Sequence, residues 1–352
     1  MTAPPPTNAE LAASRRPAAG NPTWQRLKRY QAINIVIVFG ALFVVCTGWS
    51  LLWPDELRFA SVGNFSVLAQ QIPVTAIAAI GVGLLMIAGE FDIGIAGTFT
   101  LVPFVVAIAF SKLGWPLPVA LLAALAVALA IGLLNGLVTT RLGIPSFIAT
   151  LGSMFFLRGV IRFVSINPAT NQPDSIAFFP GEIPKALLGG HIAGPLYAQV
   201  LWLLLVALIG YLILNRHTLG NQIFATGGNR NAAIAVGVPV NAVKVTAFMI
   251  CAVTAGLAGI IQAARIDQIE PSFATVSGIE LKAIAAVVVG GVSLFGGRGA
   301  VLGMVLGAAL IETVDNLLVL MSAPETVFKG FLGATIIVAV IINTRLGRKE
   351  RS

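Results

Sequence analysis

The chain has 352 residues, 57% of them apolar and only 10% charged, with a net charge of +8. Soluble domains carry roughly 25% charged residues, so this composition excludes a water-soluble fold and indicates an integral membrane protein. The positive charge gathers at segment ends and forms no stripe, which argues against a nucleic-acid partner.

Residues 1–32 are rich in Pro, Ala and Asn and show no apolar period, so a disordered cytoplasmic tail is expected there. Crossing a bilayer core of about 30 Å takes roughly 20 helical residues. Ten apolar segments of about that kind follow, near residues 33–53, 66–89, 93–111, 116–138, 146–164, 198–214, 243–264, 281–294, 300–320 and 327–343. The first begins too late and runs too long for a cleaved leader, and reads as a retained anchor. Together they make a transmembrane domain over 33–343, followed by a basic tail over 344–352. Cys46 and Cys251 lie inside apolar segments and read as small buried hydrophobes, not as a disulfide framework.

Between Val67 and Phe110 the only charged residues are Glu90 and Asp92. Asp92 precedes the segment that starts at Ile93. A carboxylate at a helix N-terminus gains about 0.3–1 kcal/mol from the helix dipole when exposed, so a cap is favoured over contact with a solute. Asn135 sits in an apolar segment, where it lines a path or binds two helices together. Arg158 and Arg162 lie on an apolar segment and are expected to snorkel to its outer end. The loop 165–197 is either a docking surface for an external partner or a plain connector.

The stretch Ala225–Lys244 turns polar and basic between two apolar runs. Within it, Asn229–Val236 reads as a short helix with Asn229 as N-cap, Gly237 at the left-handed C′ position and Pro239 blocking continuation. A helix of two turns is not stable alone in water, so it is held by its flanking segments and a partner. It reads either as a lever or as an ordinary capped loop helix.

The segment 281–294 is short. Fourteen helical residues reach only about 21 Å, so a re-entrant or broken segment is expected, buried in protein or lining a cavity. The run GVSLFGGRG (Gly291–Gly299) that follows aligns with GEFDIGIAG (Gly89–Gly97) at Gly89/Gly291, Gly94/Gly296 and Gly97/Gly299. Gly-interrupted segments at matching places in two halves point to a transport path. This alignment also places Glu90 near Arg298 as a possible ion pair. The fold class is therefore an all-α integral membrane protein with about ten transmembrane helices, broken or re-entrant Gly-rich segments and two pseudo-repeated halves.

An even number of crossings puts both ends on one side. Placing them in the cytoplasm puts fourteen of the 22 lysines and arginines inside, including those of the 225–244 loop. The chain has no G-x-x-x-x-G-K-[ST] phosphate loop, no H-E-x-x-H and no paired-Cys spacing. Its two histidines, His191 and His217, lie in different loops. No catalytic residue, metal site or cofactor is expected. Few acids occur in the membrane segments, so an ion-coupled secondary carrier or channel is the alternative to a transporter driven by a separate protein.

Four motifs carry a family resemblance: GGVSLFGGRG at Gly290–Gly299, IPSFIATLG at Ile144–Gly152, NG at Asn135–Gly136, and G-x-N-x-x-A-A-x-x-x-G at Gly227–Gly237. Over residues 60–343 the chain resembles the permease subunit of bacterial ABC importers of the ribose, xylose and galactose type, in the branched-chain permease superfamily. The early G-G-I-D-L-S-V-G-S motif of that family falls on Gly89–Gly97, where Gly89, Asp92 and Ile93 match and Glu90, Gly94, Ala96 and Gly97 depart.

The resemblance implies a multi-pass protein of the bacterial inner membrane with both termini cytoplasmic. It also implies a second permease copy as homodimer partner, a cytoplasmic ABC ATPase and a periplasmic solute-binding protein. ATPase coupling then falls on Asn229, Arg230, Asn231, Ala232, Ala233 and Gly237. The transport path or gate falls on Glu90, Asp92, Asn135, Ser293, Gly296 and Gly297. The membrane segments show no obvious fixed charge, so the expected solute is a small neutral polar molecule such as a monosaccharide.

Overall fold

The computed structural model describes residues 22–53, 55, 57–167, 170–177, 186–193, 196–273 and 278–348. The helices run in chain order as α1 (Pro22–Leu52), α2 (Val62–Ile87), α3 (Ile95–Ala107, continued by a wider turn over Ile108–Lys112), α4 (Leu117–Arg141), α5 (Ser146–Val164) and α6 (Ala198–Arg216). They continue as α7 (Thr218–Gly228), α8 (Arg230–Ala235), α9 (Val240–Ile266), α10 (Ile279–Val289), α11 (Val301–Leu320) and α12 (Glu325–Arg348).

Eight of the described helices are long and apolar enough to cross a membrane. Helix α10 has 11 residues, about 16 Å at 1.5 Å per residue, and ends at a break, as its short apolar run indicates. Helix α1 begins at Pro22, inside the 1–32 stretch expected to be without structure. Proline suits the first helical position, and extending an existing helix is easier than nucleating one. Residues 1–21 lie outside the described residues. Helix α12 likewise runs to Arg348, into the expected tail over 344–352.

Helices α2, α3 and α9 form the centre and are buried over most of their length. Their middle turns are apolar on nearly all faces, as an enclosed helix must be, and polar side chains fall toward their ends. Small residues let them approach closely, the usual device where lipid offers no hydrophobic drive for helix association. A Cβ at Gly81 of α2 would lie 1.8 Å from Thr254 Oγ1 on α9, and one at Gly259 of α9 would lie 2.0 Å from the Phe99 carbonyl oxygen on α3. Helices α1, α4, α5 and α6 lie outside and expose valines, leucines and phenylalanines such as Val44, Leu122, Phe156 and Leu204.

Short strands close one end of the bundle. Ile176–Ala177 (β3) pairs antiparallel with Gln268–Ile269 (β6), tying the long loop after α5 to the end of α9. At the same end Ile166–Asn167 (β1) pairs with Gln172–Pro173 (β2), and His191–Ala193 (β4) with Leu196–Tyr197 (β5). The opposite end carries the turn between α4 and α5, helices α7 and α8, and the two breaks after α2 and α10.

A glycine knot between two broken helices

The two breaks begin in the same way. Ala88 is the C-cap of α2 and Gly290 that of α10. The next residues, Gly89 and Gly291, adopt φ of +87° and +85°, a left-handed conformation that glycine enters without a Cβ penalty. Gly89 N–H donates to Met86 O at 3.0 Å and Glu90 N–H to Leu85 O at 3.2 Å. Gly291 N–H donates to Val288 O at 3.0 Å and Val292 N–H to Val287 O at 3.1 Å. These paired bonds use up carbonyls that a helix end leaves orphaned. The first aligned glycine pair is thus equivalent in geometry. The second is not: Gly94 has φ −62° and caps α3, whereas Gly296 has φ +81°.

After the shared turn, the first break is satisfied by α5. Phe91 N–H donates to Ser146 Oγ at 3.2 Å and Ile93 N–H to Thr150 Oγ1 at 3.1 Å. Ser146 and Thr150 lie one helical turn apart and so share a face. The IPSFIATLG motif therefore supplies the hydroxyls that an irregular backbone at membrane depth requires. The sequence offered a signal for this, two hydroxyl residues spaced four apart opposite a Gly-rich break.

Asp92 is 1% exposed. Helix α3 starts at Ile95 with Gly94 as N-cap, two residues later than the start at Ile93 expected from sequence, so Asp92 stands at the N-terminus of α3 without being its N-cap residue. Its carboxylate faces the amides of Gly94 and Ile95 and the side chain of Asn135. Asp92 Oδ1 and Asn135 Nδ2 are both buried without a well-aligned hydrogen bond. A Cβ at Gly94 would lie 2.9 Å from the former and 3.4 Å from the latter. Among the described ion pairs, Glu90 meets Lys244 of α9 and not Arg298 on the matching break. The pair is formed by sides 15% and 12% exposed.

The second break is organised by its own backbone. Ser293 N–H donates to Arg298 O at 3.0 Å, and Ser293 Oγ accepts from Phe295 N–H at 3.2 Å. Gly296 N–H donates to Ser293 O at 3.2 Å. Gly297 N–H crosses to Ile87 O at 2.8 Å, satisfying the last carbonyl of α2 and joining the two breaks directly.

The end of α7 is inserted against both breaks. A Cβ at Gly227 would lie 1.8 Å from Ile87 O and 2.7 Å from Gly297 N. Cβ atoms at Gly296 and Gly297 would lie 2.9 Å from Gly227 Cα and 2.6 Å from Gly228 Cα. Four glycines from two elements thus meet backbone to backbone.

Helix α8 follows at once. Asn229 caps it, its side chain accepting from Ala232 N–H at 3.0 Å. Gly237 has φ +83°, with Gly237 N–H on Ile234 O and Val238 N–H on Ala233 O, both at 3.0 Å. The connection between α6 and α9 therefore holds two helices, α7 and α8, where one was expected. Helix α7 was missed because its three glycines, Gly220, Gly227 and Gly228, and its polar first turns read as loop. Arg230, Asn231 and Ala232 are exposed. Ala233 is 3% exposed and seats α8 on its neighbours instead of facing outward. The large apolar side chains exposed on α8 and its C-cap are Ile234 at 49% and Val236 at 77%.

The sequence reading also missed fixed charge within the bundle. Lys282 of α10 meets Glu312 of α11 at 3.2 Å and Asp315 at 2.6 Å. Thr75 Oγ1 of α2 donates to Glu312 Oε1 at 2.6 Å. Arg158 lies 4.0 Å from Glu280, and Arg158 and Arg162 line a cleft of about 790 Å³ with Asp174 and Glu270 at the end away from the breaks. Their partners lie far apart in sequence and are brought together only by packing.

The family model for the permease component of the branched-chain amino acid transport system matches residues 64–340. The chain belongs to that family. This permease component is 33% identical over 311 residues to the ribose import permease protein RbsC of Escherichia coli K12, covering 87% of the chain and 92% of that relative. It is 32% identical over 311 residues to the autoinducer 2 import system permease protein LsrC of Enterobacter sp., covering 88% of the chain and 84% of that relative. No solved structure matches the chain. The apolar helices and the family make it a multi-pass membrane transport component.

Proposed function

We propose that the chain is the membrane-spanning permease subunit of an ABC importer that moves a small polar solute, a monosaccharide or a close chemical relative, into the cell. A cytoplasmic ATPase binds α8, a periplasmic solute-binding protein delivers the solute at the opposite end, and a second copy of the chain completes the complex. The names of the ribose and autoinducer 2 relatives support the solute class. The end bearing α7, α8, the start of α1 and the end of α12 faces the cytoplasm, a reading supported by the excess of Lys and Arg in the segments expected on that side.

One observation carries this reading. Helix α8 presents Ile234 and Val236 to the exterior while its base, Gly227–Gly228 and Lys244, is locked into both helix breaks. A partner that grips α8 therefore acts on α2, α3, α10 and α11 at once. Nucleotide biases the equilibrium only if it binds one form of the complex more tightly than the other. Glu90, Asp92, Asn135, Ser293, Gly296 and Gly297 form the gate at the base of this lever.

Uptake into proteoliposomes tests the reading. The importer requires ATP, the ATPase and the binding protein together. Uptake by the chain alone, driven by an ion gradient, contradicts it and favours a secondary carrier.

A further inference from the structure

A cavity of about 180 Å³ lies among α2, α3, α9, α10 and α11. Its polar lining is Gln71, Thr75, Gln262, Arg265, Lys282 and Glu312. Gln71, Gln262, Arg265 and Lys282 are half-buried and form the mouth, while Thr75 and Glu312, at 3% and 2% exposed, form the floor. Arg265 is in the last turn of α9 and Lys282 in the first turn of α10, so the mouth opens at the end away from the breaks. Below Thr75, twelve residues of α2 lead to the first break, about 18 Å of helix. Ile77, Ile80, Leu84 and Ile87 seal that stretch at 1% exposure or less.

The lining has the chemistry of a ligand site. Gln71 and Gln262 line the cavity from α2 and α9 with side-chain amides that both donate and accept. Pro73 lies between Gln71 and Thr75 on α2. It carries no N–H, so the Ala69 carbonyl loses its usual donor at this level. Phe99 forms one wall and is held rigid by stacking on Phe273 at 5.4 Å. Lys282 is already engaged with Glu312 and with Asp315 just outside the lining, and the Glu312 charge also acts on the Arg265 guanidinium. An ionic ligand would find no unopposed counter-charge.

Size narrows the class further. A dry cavity of about 150 Å³ holds one benzene ring, so 180 Å³ takes a single ring with small substituents. Amides, a hydroxyl, a carboxylate and a guanidinium offer donors and acceptors on several sides, and an aromatic face covers one more. Hydroxyl groups both donate and accept, and so match such a lining.

We propose that this cavity is a solute-binding site contained within one chain, and that it takes an uncharged, ring-sized polyhydroxylated molecule entering from the end away from the breaks. The proposal rests on the importer reading and gives it a location. The helices that line the cavity also carry the breaks or the Lys244 clamp, so movement at the glycine knot reaches the site through rigid elements.

The test is binding of D-ribose, D-xylose and D-galactose to the purified full chain in nanodiscs, with D-gluconate and D-glucosamine as charged probes, followed by saturation-transfer NMR. At least one neutral aldose binds at or below about 10 mM. The substitutions Gln71→Leu and Gln262→Leu each weaken it about tenfold, as expected for a lost buried hydrogen bond, without changing the melting temperature. Both charged probes bind at least about tenfold more weakly than that aldose. Absence of aldose binding, equal affinity in the double variant, or equal affinity for a charged probe overturns the site. ATP-driven uptake that persists with unchanged KM in the double variant overturns the site alone, whereas uptake independent of ATP in the unaltered complex overturns the importer reading itself.

Discussion

The two helix breaks share a turn and differ in everything after it. Both leave their helix through a left-handed glycine with the same pair of hydrogen bonds. The first is then half-buried, with Asp92 and Gly94 enclosed, amides on Ser146 and Thr150 and a carboxylate on Lys244. The second folds on itself around Ser293 and exposes Phe295 at 62%. The turn is intrinsic to glycine and is kept wherever glycine is kept. The partners are extrinsic and depend on what each half packs against. Glu90, which departs from the family motif, is therefore a local solution tied to Lys244.

The largest effect is expected at the clamp. Lys244→Met leaves the Glu90 carboxylate unpaired in a mostly buried position, a loss on the order of 3–5 kcal/mol. Thermal unfolding in detergent reads the loss, and the double variant Lys244→Met with Glu90→Gln recovers most of it. Equal stability in the single variant would mean that the first break is no more anchored than the second.

Gly227→Ala comes next. The added Cβ meets Ile87 O at 1.8 Å, and such overpacking costs about 1–3 kcal/mol. It pushes the breaks apart, and ATP-driven uptake falls with stability. Gly228→Ala is the internal control, because its nearest neighbour would lie at 3.9 Å, and it should melt with the wild type.

The smallest effects compare the hydroxyls. Thr150→Val removes the buried acceptor of the Ile93 amide and costs about 1–3 kcal/mol, against about 0.5–1.5 kcal/mol for Ser293→Ala at the second break. Hydrogen exchange at residues 91–93 and 293–296 would resolve the two. A larger effect at Ser293 would reverse the assignment of the first break as the more anchored one.

Much of this was legible in sequence because it is local. Apolar runs marked the crossings, the shortness of 281–294 marked a break, and Asn229, Gly237 and Pro239 marked the ends of α8. What was not legible depends on tertiary approach. Lys244 lies 154 residues from Glu90, and Thr75 lies 237 residues from Glu312, so no window connects them. Glu312 and Asp315 lie inside the 300–320 segment, where the sequence reading counted no fixed charge, and only packing shows them joined with Lys282 as one network. Ala233 looked equivalent to Ala232 because a two-turn helix has too few residues to declare its buried face.

The most direct test of the account is the number of solute molecules moved per ATP hydrolysed by the reconstituted complex carrying Ile234→Asp and Val236→Asp. Charge on these exposed positions leaves the chain folded and inserted but weakens the grip on α8. The account predicts that hydrolysis continues while uptake collapses, so the ratio falls toward zero. A ratio equal to the wild type would contradict transmission through α8 and the glycine knot.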